Sequence, residues 1–119
     1  MFPVPKKNVR AYVKMAKEGS RAWKRFGALA YFECVGDDLK PQKAPGQPVP
    51  RAFVTMAKGT KADTVWFSFI VYRNKAHRDA VNKKVMAYFG KKYANIKNFS
   101  MPFDPKKMAK GGFRVVVQS

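Results

Sequence analysis

The side chains able to carry acid–base or nucleophilic chemistry are few in this sequence. His77 is the only histidine and Cys34 the only cysteine. The sequence contains no histidine-rich metal motif, no Cys-x-x-Cys pair and no Gly-x-Ser-x-Gly turn of the serine hydrolases. We therefore predict neither a metal site nor a cofactor. No motif assigns a catalytic residue, and an enzymatic activity is left open.

Two titratable side chains are placed to reach a pocket between a helix and a sheet. Glu33 lies in an apolar, strand-like run, and His77 aligns with Val81 and Val85 at helical spacing. The predicted pocket would hold a small apolar ligand and is lined by Glu33, Trp66, Tyr72, His77 and Phe103. For the two titratable groups, structural roles are favoured: a salt bridge from Glu33 to Arg114 or to a helix lysine, and a partly buried, hydrogen-bonded His77.

Positive charge is the strongest bulk feature of the chain. Lys and Arg total 25 against 7 Asp and Glu, which gives a formal net charge of +18. Six cations follow one side of the first predicted helix, where each like-charged pair costs about 0.2–0.5 kcal/mol. They are Arg10, Lys14, Lys17, Arg21, Lys24 and Arg25. A protein that binds RNA, DNA or another polyanion through these cations is a second hypothesis, and a positively supercharged engineered scaffold is a third.

Size and composition indicate one domain covering residues 1–119. With 46% apolar and 14% aromatic residues, the chain contains enough apolar side chains to form a folded core. The longest uncharged apolar run, Thr64–Tyr72, is too short to cross a bilayer, and Met1–Lys7 lacks the apolar centre of a signal peptide. Together with the single cysteine, these features predict a cytoplasmic protein without membrane insertion.

Hydrophobic periodicity predicts an α+β fold. The predicted elements are a helix over Lys6–Gly27, a strand over Ala28–Val35, a strand over Thr64–Tyr72, a helix from Asn74 to Phe89 that ends at Gly90, and a last strand over Phe113–Gln118. The proline-rich stretch up to Pro50 predicts a surface loop. Arg51–Lys58 is either a short edge strand or the return of that loop.

The strand over Thr64–Tyr72 is apolar on both faces. Helices can cover one face, and we predict that the sheet of a partner subunit covers the other, so the protein is expected to be a homodimer. The run Phe67–Tyr72 also approximates the third strand of an RNA recognition motif. Because Trp66 stands where that motif has a glycine, a dimer core is the favoured interpretation.

Six blocks of the sequence resemble the bacterial proteins grouped as domain of unknown function 1428, related to the dimeric α/β-barrel superfamily. They are PVPKKN at Pro3–Asn8, FGALAYFECVGDD at Phe26–Asp38, VWFSFIVY at Val65–Tyr72, AHRDAVN at Ala76–Asn82, MPFD at Met101–Asp104 and GGF at Gly111–Phe113. The resemblance implies a ferredoxin-like βαββαβ monomer with an antiparallel sheet, which packs on a second sheet as a dimeric barrel. It implies no established activity, because the superfamily includes monooxygenases, haem enzymes and ligand sensors.

The sequence departs from the family's pattern in three places. Family members usually begin several residues earlier with an apolar first strand, so we expect either a shortened first strand here or a sequence that starts late. The usual PFDGKRM-like run is PFDPKKM at Pro102–Met108, and the replacement of its arginine by Lys107 weakens any bidentate anion contact. The family is generally near neutral or acidic, so the net charge of +18 is particular to this chain.

Overall fold

The computed structural model describes residues 1–96 and 100–119. In chain order, the helices and strands are β1 (Phe2–Pro5), α1 (Val9–Arg25), β2 (Ala30–Val35), α2 (Phe53–Met56), β3 (Asp63–Val71) and α3 (Lys75–Lys92). The strands form one antiparallel sheet in the order β1-β3-β2. This confirms the predicted α+β class with an antiparallel sheet. Within the described ranges, no helix is long and apolar enough to span a bilayer.

The helix α1 packs on the sheet through small and aromatic side chains. Its buried residues recur at intervals of three or four and are Tyr12, Ala16, Gly19 and Ala22. The helix starts later than predicted, because Lys6–Asn8 form a 3-10 turn directly after β1. It ends as predicted before Gly27, whose φ of +113° lies in the region that favours glycine.

The alternation predicted for β3 is confirmed by the exposure of its side chains. Trp66 is 6% exposed and faces the helices, whereas the adjacent Phe67 is 55% exposed and points to the opposite side. The buried residues of the helix side form two clusters. One contains Phe2, Val4, Tyr12, Ala16, Trp66 and Phe103, and the other contains Ala28, Val81 and Val85.

The start of α3 agrees with the prediction, whereas its end does not. Asn74 caps its start, as predicted, by accepting a hydrogen bond from the His77 amide at 2.8 Å. Gly90 does not end the helix, which continues to Lys92. A glycine inside a helix costs only about 1 kcal/mol, and Phe89 packs its ring 6.1 Å from that of Trp23.

The segment predicted as an edge strand or a loop return contains α2. One helical turn is closed by hydrogen bonds from the Ala57 amide to the Phe53 carbonyl and from the Gly59 amide to the Val54 carbonyl, both at 2.8 Å. Ala57 is 2% exposed, so this turn is anchored on the rest of the domain. Arg51–Lys58 is therefore the return of the loop and not an edge strand.

The predicted last strand over Phe113–Gln118 is wrong: this segment is not a strand, and its apolar side chains lie in solvent. Ala109 is the last residue that bonds to the sheet, through reciprocal hydrogen bonds with Met1. Further along β1, Pro3 and Pro5 have no N–H to donate, so this edge cannot support a regular ladder. The full βαββαβ order is therefore not formed by the described residues.

Candidate functional site

A basic groove lies between the outer side of α1 and the C-terminal part of α3. Its volume is about 350 Å³, and it is lined by Lys14, Glu18, Arg21, Ala22, Arg25, Tyr88 and Lys92. The α1 residues are spaced by three or four positions, which places them on one side of the helix. The groove therefore results from the meeting of one helix face with the end of another helix.

Three cations of the groove form no close ion pair among the described residues. Within the part of the chain that the structure describes, the ion pairs are Arg78–Asp79 and Lys92–Glu18. Lys14, Arg21 and Arg25 form no ion pair in those residues, and all three are exposed. The groove thus presents uncompensated positive charge to solvent, as an anion site requires.

Glu18 is the acidic residue of the groove, and its carboxylate is already engaged by α3. Its Oε1 accepts hydrogen bonds from the Lys92 ammonium group and, at 2.5 Å, from the Tyr93 hydroxyl. The hydrogen bond from Lys92 and then that from Tyr93 lower the pKa of the Glu18 carboxyl. Glu18 therefore stays ionised and joins the two helices, and its charge is shared mainly with Lys92.

An aromatic ring lies among the cations of the groove. The Arg25 guanidinium carbon is 5.7 Å from the centroid of the Tyr88 ring, and the Lys92 nitrogen is 5.8 Å from it. Cations at such distances are attracted by the ring face. Flat groups beside positive charge are also what nucleobases stack on next to bound phosphates.

A second hollow continues along α1 towards its N-terminus. It has a volume of about 380 Å³ and shares Lys14 and Glu18 with the basic groove. Its remaining lining residues are Asn8, Ala11, Met15, Tyr93, Ser100, Met101 and Pro102. The surface along α1 is therefore concave over more than one helical turn.

The structure brings together three of the six cations predicted for polyanion binding. Lys14, Arg21 and Arg25 line the basic groove, whereas Arg10, Lys17 and Lys24 lie outside its lining. All six are exposed. Sequence reasoning missed Tyr88 and Lys92, because their contribution depends on how α3 crosses α1. The Lys91–Lys92 pair, just after the predicted end of that helix, was the available signal.

The residues predicted to line a ligand pocket do not converge on one site: Trp66 and Phe103 belong to the first core cluster, and Tyr72 packs against the second. Trp66 and Phe103 pack with Tyr12, whose ring centroid lies 4.8 Å from that of Trp66 and 5.8 Å from that of Phe103. Glu33 accepts hydrogen bonds from Tyr12 at 2.7 Å and from Tyr31 at 2.6 Å. The predicted salt bridge of Glu33 is therefore wrong, because two tyrosine hydroxyls satisfy its carboxylate.

Tyr72 packs against the other cluster, and His77 lies next to Tyr72. Their rings are 5.9 Å apart, and the Tyr72 hydroxyl donates to Asn82 at 2.7 Å. The His77 Nδ1 accepts a hydrogen bond from the Arg73 amide at 3.0 Å, which leaves Nε2 as the protonated nitrogen of the neutral ring. This is the half-buried, hydrogen-bonded role predicted for His77. Neither surface hollow is lined by any of the five predicted pocket residues.

The two side chains with the strongest intrinsic reactivity lie on opposite sides of the sheet. His77 contacts Tyr72 on the helix side, whereas Cys34 is exposed on the other side, opposite Phe67 in the strand pairing. Because the sheet lies between them, these two side chains cannot form a nucleophile–base pair. Among the described residues, no group of three or more His, Cys, Asp or Glu side chains is placed to hold a metal ion.

The sheet side that faces away from the helices is an exposed apolar surface, which we call the apolar face: Phe32, Cys34, Phe67, Phe69 and Val71. The rings of Phe32 and Phe69 stack at 4.7 Å, and Phe67 lies 5.7 Å from Phe69. None of these side chains is charged, although the chain carries a net charge of +18. A patch of this kind marks an interaction surface in soluble proteins.

The fold and these two surfaces define a class: a small α+β protein with helices on one side of an antiparallel sheet. The chain belongs to the family described as Protein of unknown function (DUF1428), whose model matches residues 1–105. It is similar to the Uncharacterized protein YbaA of Escherichia coli (strain K12), with 35% identity over 116 residues covering 96% of this chain and 90% of that protein. The YbaA protein of Shigella flexneri matches equally well. The family predicted from the sequence is confirmed.

Proposed function

We propose that this protein binds nucleic acid through its phosphates, with the basic groove as the contact surface. The observation that supports the proposal is that Lys14, Arg21 and Arg25, which form no ion pair among the described residues, line one groove with Tyr88, whose ring Arg25 contacts. Phosphate contacts fix a nucleic acid on a protein without reading its sequence. The binding is therefore expected to be sequence-independent.

The affinity is expected to fall steeply with salt. Each phosphate neutralised in duplex DNA contributes about 0.9 to the slope of log K against log salt concentration. Replacing Lys14, Arg21 and Arg25 by glutamine removes up to three such contacts, so the slope should decrease by about 3. Fluorescence anisotropy of a labelled oligonucleotide, titrated at a series of salt concentrations, measures both slopes.

A matched variant separates the groove from net charge alone. Lys40→Gln, Lys43→Gln and Lys61→Gln remove the same number of charges from exposed positions outside the groove. This control should retain nearly the full slope. If the control and the groove variant lose the same affinity, the charge acts in a delocalised manner and the groove is not the site. Absence of binding by the unmodified protein at low salt contradicts the proposal altogether.

A second proposal concerns assembly. We propose that the protein forms a homodimer in which two apolar faces pack together, as in a dimeric α/β barrel of ferredoxin-like subunits. The support is the exposure of large apolar side chains on adjacent strands, with Phe67 at 55%, Phe32 at 48% and Phe69 at 41%. Such a face favours burial against an equally apolar surface.

Analytical ultracentrifugation at moderate salt, which screens the repulsion between basic copies, measures the dimer. Phe69→Glu should convert the dimer to a monomer because it would bury a charge between the faces. Met86→Glu is the control, since Met86 is 57% exposed on α3, away from the apolar face. A monomeric unmodified chain, or equal effects of both substitutions, overturns this proposal.

The predicted apolar ligand between sheet and helices stays a prediction. Trp66 and Phe103 are 6% and 7% exposed, and both pack against neighbouring rings of their cluster. The basic groove is therefore the better supported binding site.

A further inference from the structure

The second hollow, at the start of α1, differs in chemistry from the basic groove that it adjoins. Lys14 and Glu18 line both of them. In the second hollow these two are the charged lining residues, so their charges cancel there. The rest of the lining is neutral and includes the apolar side chains of Ala11, Met15, Met101 and Pro102. One end of this surface is thus suited to phosphates and the other end to a neutral group with an apolar face.

The second hollow also contains hydrogen-bonding groups that the described residues leave available. The two hydrogen bonds that the Glu18 carboxylate accepts both fall on Oε1, so its Oε2 accepts none within residues 1–96 and 100–119. The Asn8 Nδ2 donates to the Pro102 carbonyl at 3.0 Å, and this side chain does not cap α1. Its Oδ1 is a second available acceptor in the same ranges. Ser100, whose hydroxyl both donates and accepts, completes a set that matches the polar edges of any nucleobase.

The groove and the hollow follow one another along α1. Lys14 lies where they meet, and both Arg21 and Arg25 lie on the groove side of it. At about 1.5 Å per residue, Arg21 is about 10 Å from Lys14 along the helix axis, and Arg25 is about 6 Å further. A ligand with one phosphate would not reach all three cations. The spacing therefore favours a chain of phosphates over a mononucleotide.

A nucleobase reaches the second hollow only when it is unpaired. In a duplex the bases are stacked on one another and paired with the opposite strand, whereas the bases of a single strand can turn outward and pack against side chains. The volume of the second hollow is about 380 Å³. Pockets of about 300–1,000 Å³ hold small organic molecules in proteins. One flat base is therefore of a suitable size for this hollow.

We propose that the ligand of the basic groove is a single strand of nucleic acid, with its phosphates on Lys14, Arg21 and Arg25 and one unpaired base in the second hollow. The inference rests on the nucleic-acid proposal and deepens it by naming the substrate class. Because every base has a flat apolar face, packing of a base tolerates any sequence. A surface that recognised charge alone would favour the duplex, whose phosphates are more densely spaced.

The test compares three labelled ligands of equal length by fluorescence anisotropy: a mixed-sequence single strand of DNA, the same strand with abasic sites throughout, and the duplex. The unmodified protein should bind the single strand about 10-fold more tightly than the abasic strand, since packing of one base on a protein contributes roughly that factor. It should also bind the single strand more tightly than the duplex. The salt slopes of the two single strands should be equal, because both carry the same phosphates.

Ala11→Leu obstructs the second hollow without removing a cation. Ala11 is exposed on α1, and leucine is a good helix former, so the variant is expected to fold. The matched control is Ala80→Leu, since Ala80 is exposed on α3 and lines neither hollow. Ala11→Leu should reduce the preference for the single strand over the abasic strand to less than about 2-fold, whereas the control should retain about 10-fold. Far-UV circular dichroism checks that both variants are folded.

Equal affinities for the single strand and the abasic strand overturn the inference, as do equal effects of the two leucine substitutions. Tighter binding of the duplex than of the single strand also overturns it, because the surface would then recognise charge alone. In these cases the nucleic-acid proposal stands if the glutamine substitutions in the basic groove still lower the salt slope. If none of the three ligands binds at low salt, the nucleic-acid proposal itself fails, and this inference fails with it.

Discussion

The two sides of β3 differ in how completely the chain covers them. On the helix side, the polar groups among the apolar side chains are satisfied: the Trp66 indole donates to Thr64 at 2.9 Å and Asn82 accepts from Trp23 at 3.1 Å. No buried side-chain nitrogen or oxygen of the described residues lacks a partner. On the opposite side, the apolar face meets solvent. The two sides of β3 are similarly hydrophobic, but the side chains of only one side are packed into a core within the chain.

The shape of the molecule reflects this one-sided core. Its extents are 53 × 38 × 20 Å and its radius of gyration is 16.6 Å. A compact domain of this length has a radius of gyration of about 13.5 Å. The molecule is therefore flat and extended, as expected of one sheet layer with one helix layer, a protruding loop and an unpaired tail.

The largest effect should distinguish two neighbouring residues. Trp66→Ala is expected to lower the free energy of unfolding by about 3–5 kcal/mol, because it leaves a cavity beside the Tyr12 ring. Phe67→Ala, one residue along, should cost the monomer less than about 1 kcal/mol because more than half of its side chain is exposed to water. Urea unfolding of both variants, under conditions where the protein is monomeric, measures the difference. Equal losses would show that the apolar face is covered within the chain.

The same substitution on each side gives the next largest contrast. Val4 is 0% exposed in β1, and Val71 is 38% exposed in β3. Val4→Thr buries a hydroxyl and should cost about 1–3 kcal/mol. Val71→Thr should change the free energy of unfolding by less than about 0.5 kcal/mol in the monomer. Thermal unfolding followed by circular dichroism gives both values, and a costly Val71→Thr would contradict the comparison.

A smaller loss is expected from the polar network of the helix side. Tyr12→Phe deprives the Glu33 carboxylate of one of its two donors and should cost about 1–2 kcal/mol. The control is Tyr88→Phe, since the Tyr88 ring lies at the surface of the basic groove and should tolerate the change within about 0.5 kcal/mol. Denaturant unfolding at neutral pH measures both variants. Equal values would mean that water satisfies Glu33 as well as Tyr12 does.

The smallest effect is a dependence of stability on alkaline pH. Burial first, and then the hydrogen bond to Glu33, raise the pKa of the Tyr12 and Tyr31 hydroxyls above the ordinary value of 10.0. Groups whose pKa is raised by folding stabilise the protein below the unfolded pKa and lose that contribution as the pH rises towards the folded pKa. Stability should therefore decline from about pH 10 upward. Tyr31→Phe should flatten this decline, as measured by urea unfolding across the alkaline range.

Local patterns predicted the elements of the helix side well. The two-residue period of β3, the Asn74 cap and the turn at Gly27 depend on neighbours in sequence, and all three are confirmed. The prediction that the helix ends at Gly90 is wrong, because a helix continues through a glycine when flanking side chains such as Phe89 pack on another element. That contact cannot be predicted from the neighbouring residues in the sequence.

The wrong predictions for the last strand and for the partners of Glu33 concern contacts between residues that are distant in the sequence. Val115, Val116 and Val117 are typical of a strand, but a strand also needs a partner in register, and these residues pair with no strand of the described sheet. The donors to Glu33 include Tyr12, which lies on a different element. For the basic groove, the α1 cations were predictable from their spacing, whereas Lys92 joins them only through the packing of α3 on α1.

The position of Cys34 makes this residue a natural labelling site for detecting whether the apolar face is covered. This thiol is free and exposed, and it lies in the middle of the apolar face opposite Phe67. A maleimide dye therefore reacts at a single, known position without any engineered cysteine. The rate of labelling reads out directly whether the apolar face is covered, and oxidation of the thiol would register as a covalent link between two copies brought together there.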